Sequence, residues 1–281
     1  MTSRALGLMC TFALPCAALA LAGCADADAD AVGTYEVRIY GEEYIEEGIP
    51  ESVFADGWSI TFDEFLVVIS DVEVRRGAAT PVVEDATSRA FDLTAASSGE
   101  GQRVLQAEVP IGTYDEVAYR VAPATAATVA GNATPAQLAE LRAGGYALLV
   151  AGTAVKAGVT KSFRLGFQTH TRYDGCEAMG VVSATSPGVS QITIHADHLL
   201  YDSLVSETPS VRFDLVASAD DAGDANGEIT AAELAATNIL AEENYQTGNQ
   251  PITDLWAYMA YQSSTVGHID GEGHCTNTAV E

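Results

Sequence analysis

Lysine and arginine are scarce. Only 13 of the 281 residues carry those side chains, against 39 aspartates and glutamates, for a formal net charge of −26. A field of that sign repels phosphate backbones, which excludes nucleic-acid binding. It repels anionic lipid headgroups too, so membrane contact must come from a covalent lipid. Cations are the natural partners, although much of the acid serves solubility. The usual catalytic signatures are also missing. The chain has no His-Glu-x-x-His, no Gly-x-Ser-x-Gly and no phosphate-cradling glycine loop. Acid pairs such as Glu42-Glu43 and Glu46-Glu47 flank Tyr44 and Ile45 and read as a solvated face. The two tryptophans, Trp58 and Trp256, read as core aromatics. These absences point to a binding protein, not an enzyme.

Long apolar runs are absent apart from one. Ala5 to Ala22 is interrupted only by Thr11 and Pro15, follows Arg4, and leads into Leu21-Ala22-Gly23-Cys24. The charge, apolar run and small residues have the three-part form of a secretory signal. The final four residues resemble the lipobox of bacterial lipoproteins. That resemblance implies a signal peptide over residues 1–23 and acylation (palmitate or a similar chain) at Cys24. The expected address is the cell envelope, anchored on the periplasmic or outer face of a bacterial membrane, with Ala25 favouring the outer membrane. Loss of Arg4, the only charged side chain in the signal, takes the formal charge from −26 to −27.

Cysteine is sparse as well. Cys10 and Cys16 leave with the signal and Cys24 carries lipid, so Cys176 and Cys275 remain. In an oxidising compartment two leftover cysteines read as one disulfide. The alternative is a pair of thiolate metal ligands.

Residues 24–33 include the repeat ADADADA and lack large apolar groups until Val32, so they read as a disordered acidic tether. From Thr34 onward the pattern is strand-like. Tyr35, Val37 and Ile39 alternate with Glu36 and Arg38. Trp58–Val74 is rich in β-branched and aromatic residues, and Ala90–Leu93 is short and apolar. Two strand-like runs flank the turn signal Pro110-Ile111-Gly112-Thr113. Thr134-Pro135 opens a helix and Gly144-Gly145 stops it. Tyr146–Val155, Ser162–Thr171 and Val211–Val216 resume the strand pattern. Thr230–Leu240 and Thr253–Val266 have helical spacing, with Leu255, Tyr258, Met259 and Gln262 on one stripe. Strands first and helices late predict a mainly β chain: a transthyretin- or immunoglobulin-like β-sandwich over 34–218, with a helical extension over 219–281.

The stretch from Asp56 to Pro123 contains Ile69-Ser70-Asp71-Val72, then Asp92-Leu93, then Pro110-Ile111-Gly112-Thr113-Tyr114. In these features it is similar to β-sandwich domains of bacterial lipoproteins and of periplasmic copper-associated proteins encoded near methanobactin genes. The stretch spans about a quarter of the chain. The resemblance implies the fold; copper is not carried over from it.

Two constellations could hold metal. Asp220 to Glu233 resembles an EF-hand calcium loop, whose alternating oxygens wrap one hard cation around a glycine turn. Setting Gly227 as sixth places Asp224 third, Asn226 fifth, Glu228 seventh, Ile229 eighth, Thr230 ninth and Glu233 twelfth. Ala222 falls at the first position and cannot ligate, so Asp221 or Asp220 must swing in, with Asp221 the expected ligand. The preceding segment reads as strand, and no second loop is visible. The expectation is weak calcium binding in a structural or adhesive role. Thr230-x-x-Glu233 is also a capping box, which accounts for many of the same letters.

The second constellation is histidine. His195-Ala-Asp-His198 and His268-Ile-Asp-Gly-Glu-Gly-His274 place four imidazoles in two short segments. On a helix or turn, His195, His198 and Asp202 would share a face; on a strand, His195 and Asp197 would face together and His198 would point away. Neutral imidazole is a preferred ligand of copper and zinc. The alternative function is therefore a periplasmic copper- or zinc-binding protein, with a metal-free interaction module as the third class.

Overall fold

The computed structural model describes residues 31–77 and 80–280. The signal, Cys24 and most of the expected tether lie outside them. Val32 and Gly33, read as tether, already belong to the first strand, β1 (Val32–Tyr40). A short helix α1 (Glu42–Glu46) follows, then the long β2 (Ser59–Arg75). β3 (Val83–Asp85) and β4 (Arg89–Asp92) fold back onto β2. β5 (Gln102–Pro110) and β6 (Gly112–Val121) flank the expected turn. That turn does not make a hairpin, because β5 pairs with β1 while β6 pairs with β2 and β10 (Thr171–Val182). Between them lie β7 (Val129–Ala130), α2 (Pro135–Gly144), β8 (Leu148–Lys156) and β9 (Val159–Phe167). β11 (Gly188–Ile194) and a 3-10 turn (Asp197–Leu200) precede α3 (Asp214–Ala222). β12 (Glu228–Ile229), α4 (Ala231–Ala236), α5 (Leu255–Gln262), β13 (Gly267–Ile269) and β14 (Thr276–Ala279) complete the chain.

Two sheets form a mainly β sandwich. One has the order β13-β11-β1-β5; the other runs β12-β9-β8-β2-β6-β10-β14, with β3, β4 and β7 at its side. Tyr35 of the first sheet meets Tyr114 of the second edge-on, with ring centroids 5.1 Å apart. Val37, Ile39, Val67, Ile69, Val117 and Tyr119 fill the core around them. β1 and β11 are parallel, unlike the antiparallel pairing of an immunoglobulin-like sandwich.

Phe65 to Ser70 is buried without alternation. The reason is a second, smaller core on the far side of β2, where Leu66, Val68 and Leu149 pack against Leu141 of α2. The helix is fixed as its sequence predicts. Thr134 and Gln137 form a reciprocal capping box, and Gly145 adopts φ 59° at the C-cap.

Residues 219–280 contribute strands to both sheets. They place β12 and β14 in one sheet and β13 in the other. Residues 31–281 cluster as one unit. Val211–Val216, read as strand, instead runs into α3. Asp56 Oδ2 accepts the Phe213 and Asp214 backbone N–H groups at 2.7 and 2.8 Å and so starts a helix that local alternation conceals. The helix expected over Thr230–Leu240 stops at Ala236. The α5 stripe of Leu255, Tyr258, Met259 and Gln262 is buried as expected. Cys176 and Cys275 form a disulfide that ties β10 to the start of β14. Among the described residues, no helix is long and apolar enough to cross a membrane.

Candidate metal centre

Parallel pairing builds the site. Tyr40 of β1 lies opposite Thr193 of β11, so the residues just beyond, Glu42 and His195, emerge at the same end of the sheet. β13 pairs with β11 in the register Thr193–His268 and brings His268 alongside. The 3-10 turn, anchored by buried Leu199 and Leu200, returns His198 to His195. The ring centroids are 4.5 Å apart for His195–His268, 5.1 Å for His195–His198 and 5.1 Å for His198–His268. Donor atoms of His195, Asp197 and His198 lie within 4.8 Å of one another, as do those of His195, His268 and Glu272.

Two tyrosines hold the strand carrying His268. Tyr119 and Tyr173 stack at 4.8 Å. The Tyr119 hydroxyl donates to the His268 carbonyl at 2.9 Å, and Gly267 N–H donates to the Tyr173 hydroxyl at 3.2 Å. A Cβ at position 267 would lie 2.6 Å from that Tyr119 oxygen, so only glycine lets the backbone approach this closely.

The site is partly buried, and two of its polar atoms lack partners among the described residues. His195 is 6% exposed and Asp197 9%. His198 Nδ1 lies 2.8 Å from the Thr265 carbonyl, which can only accept, so Nδ1 carries the proton and Nε2 keeps a free lone pair. His268 Nδ1 and Asp197 Oδ1 are buried with no hydrogen-bond partner among the described residues. The other Asp197 oxygen accepts the Tyr201 hydroxyl at 2.8 Å. Glu42 Oε2 is 3.6 Å from His195 Nδ1, and burial raises the Glu42 carboxyl above its ordinary range. A cleft of about 530 Å³ opens beside the cluster, lined in part by His198, Tyr201, His268, Glu272 and His274. Two or three convergent imidazoles with adjacent carboxylates suit a borderline divalent transition metal.

Burial, reinforced by neighbouring imidazoles, depresses the pKa of both His198 and His268 to about 4. Both rings are thus neutral, the ligating form, at pH 7. The unfolded chain takes up protons near pH 6.5 and the folded one only near 4. Metal-free protein therefore keeps this stability above about pH 6.5 and loses it progressively as the pH falls towards 4. Chemical denaturation across that interval, in EDTA, is expected to show the fall, and His198→Gln is expected to flatten it.

Of the four candidate histidines, the fold brings His195, His198 and His268 together. His274 lines the same cleft but belongs to neither donor group. Asp202 turns away: its carboxylate accepts from Arg212 at 2.7 Å and from Ser210 N–H at 2.9 Å. Glu42, read as solvated surface, is a neighbour of the site.

The calcium-loop candidates are arranged differently from the expectation. The loop does join two helices, α3 and α4. The residue at its buried start is Asp220, not Asp221. Asp220 is fully buried and its two oxygens each lie 3.2 Å from the Gly227 N–H. Asp221 is two-thirds exposed. Asp224, Asn226, Thr230 and Glu233 are occupied with one another and with the backbone. Asp224 accepts from Asn226, and Asn226 Oδ1 accepts from Glu228 N–H at 2.7 Å. Glu233 Oε2 accepts both the N–H and the hydroxyl of Thr230 at 2.9 Å, completing the capping box. Glu228 itself sits in β12, with its side chain exposed. Sequence reading missed Lys161, whose ammonium donates to Asp220 and, at 2.5 Å, to Asp221.

No protein-family model matches the chain, and no curated protein matches it. Among solved structures, MbnP from Methylosinus trichosporium is similar at a TM-score of 0.34 and 10% identity, over 60% of this chain and 77% of that one.

Proposed function

We propose that this protein is an extracytoplasmic transition-metal-binding protein that holds copper(II) or zinc at His195, His198 and His268, with Asp197 and Glu272 as flanking carboxylates. The observation that carries the reading is the buried His268 Nδ1, without a hydrogen-bond partner among the described residues and beside two further imidazoles. A buried polar nitrogen without a hydrogen bond is costly, and a metal ion supplies the missing partner. The role is binding, not catalysis. Calcium has no comparable support, since the loop carboxylates are engaged by protein donors. The disulfide fits an oxidising compartment. Elemental analysis of untagged protein from its native compartment tests the reading. One equivalent of copper or zinc, removed by EDTA with a fall in melting temperature, is expected; metal-free protein indifferent to both ions would overturn it.

Membrane attachment is proposed to come from acylation of Cys24, with the outer membrane as its site. Cys24→Ser is expected to move the protein to the soluble fraction or leave the signal uncleaved. Mass spectrometry of a wild-type mature N-terminus without an acyl chain would contradict this.

A further inference from the structure

We infer that the helix–loop–helix from Asp214 to Ala236 is a cation-binding loop whose resident cation is the chain's own Lys161 ammonium. The loop has the components of a calcium site. Gly227 sits at φ 89° in the sharp turn, and Ile229 is 1% exposed and locked into the core. Carboxylate oxygens of Asp220, Asp224 and Glu233 converge to within 4.8 Å of one another. Gly223 admits the Glu233 carboxylate, because a Cβ there would lie 2.3 Å from Glu233 Oε1.

What distinguishes this loop is its partner strand. β12 pairs in parallel with β9, in the register Glu228–Ser162 and Ile229–Phe163. Ser162 N–H donates to the Gly227 carbonyl at 2.8 Å. That register aims the preceding residue, Lys161, into the loop. Its side chain is 7% exposed and bridges Asp220, which is fully buried, to Asp221. A buried lysine and a buried aspartate persist only as a compensated pair. The hydrogen bond to Lys161 holds Asp220 below its ordinary carboxylate range, and the bonds to Asp220 and Asp221 raise the Lys161 pKa. The ammonium therefore supplies the positive charge that neutralises Asp220, the carboxylate at the loop's buried start. The loop is held closed without calcium.

Thermal unfolding of protein stripped beforehand of transition metal, in EDTA and in 10 mM-scale calcium chloride, tests this independently of the histidine site. Wild type is expected to unfold at the same temperature in both. Lys161→Met, which keeps the stem and removes the charge, is expected to lose about 10 °C in EDTA and to recover about half of that in calcium. Lys161→Arg is expected to behave as wild type. The double variant Lys161→Met with Asp220→Asn, which leaves no buried charge, is expected to fold and to ignore calcium. Wild type stabilised by calcium as strongly as Lys161→Met would overturn the inference, as would a folded Lys161→Met indifferent to calcium. Should Lys161→Met be unfolded in EDTA, calcium is expected to refold it, and failure to do so would count against the inference.

Discussion

Copper(II) is expected to raise the melting temperature of the wild-type protein, and His268→Ala is expected to lose that rise. His268 is one of three mutually adjacent imidazoles, and its buried Nδ1 has no partner among the described residues. Truncating it removes a candidate ligand, so affinity is expected to drop by more than the roughly 10–100-fold typical of losing an outer partner. The metal-free variant tells as much as the loaded one. Alanine removes a buried nitrogen that lacks a hydrogen bond, so the polar part of the change costs little; the lost ring packing accounts for what destabilisation occurs. A large stability loss in EDTA with copper stabilisation intact would mean that His268 is only a packing residue. His274→Ala serves as the control, because His274 lines the cleft without joining either donor group. It is expected to keep the copper response. Equal losses in the two variants would point to diffuse binding across the cleft.

Removing the disulfide has the second large effect. Cys176 and Cys275 are 99 residues apart in sequence. In the chain-entropy model a cross-link of that span contributes roughly 4–5 kcal/mol by restricting the unfolded chain. For a chain of this size that corresponds to a fall of about 10–15 °C in melting temperature for Cys176→Ala with Cys275→Ala. Local consequences follow from topology. Among the described residues, β14 pairs only with β10, through four residues that are all exposed. Hydrogen exchange is therefore expected to accelerate first over residues 267–280, which include His268 and Glu272. Copper affinity is expected to weaken with it, because the bridge helps hold the arm that delivers His268. Unchanged exchange in that arm would show that the Tyr119–Tyr173 clamp alone fixes it.

Much of the sandwich was readable from local pattern. The β1 alternation, the capped helix α2 and the buried α5 stripe depend on residues close in sequence, and the structure matches them. Val211–Val216 was not readable, because Asp56 caps α3 from more than 150 positions away. The unalternating Phe65–Ser70 run needed the second core that α2 creates. For the histidines, clustering in two short segments suggested a shared site but not what brings the segments together. Parallel β1–β11 pairing and the β11–β13 register create that meeting, and both are long-range. Glu42 looked like surface acid for the same reason. Lys161 carried no signal, since its role comes from the register of β9 against β12. Asp221 was the nearer carboxylate in the letters, but Asp220 is the one that the helix buries.

The central claim is tested most directly by electron paramagnetic resonance of untagged protein carrying one equivalent of copper(II). The account predicts a single species with hyperfine coupling to imidazole nitrogens, lost in His195→Ala and unchanged in Lys161→Met. A spectrum of oxygen ligands only, or one that His195→Ala leaves intact, would contradict it.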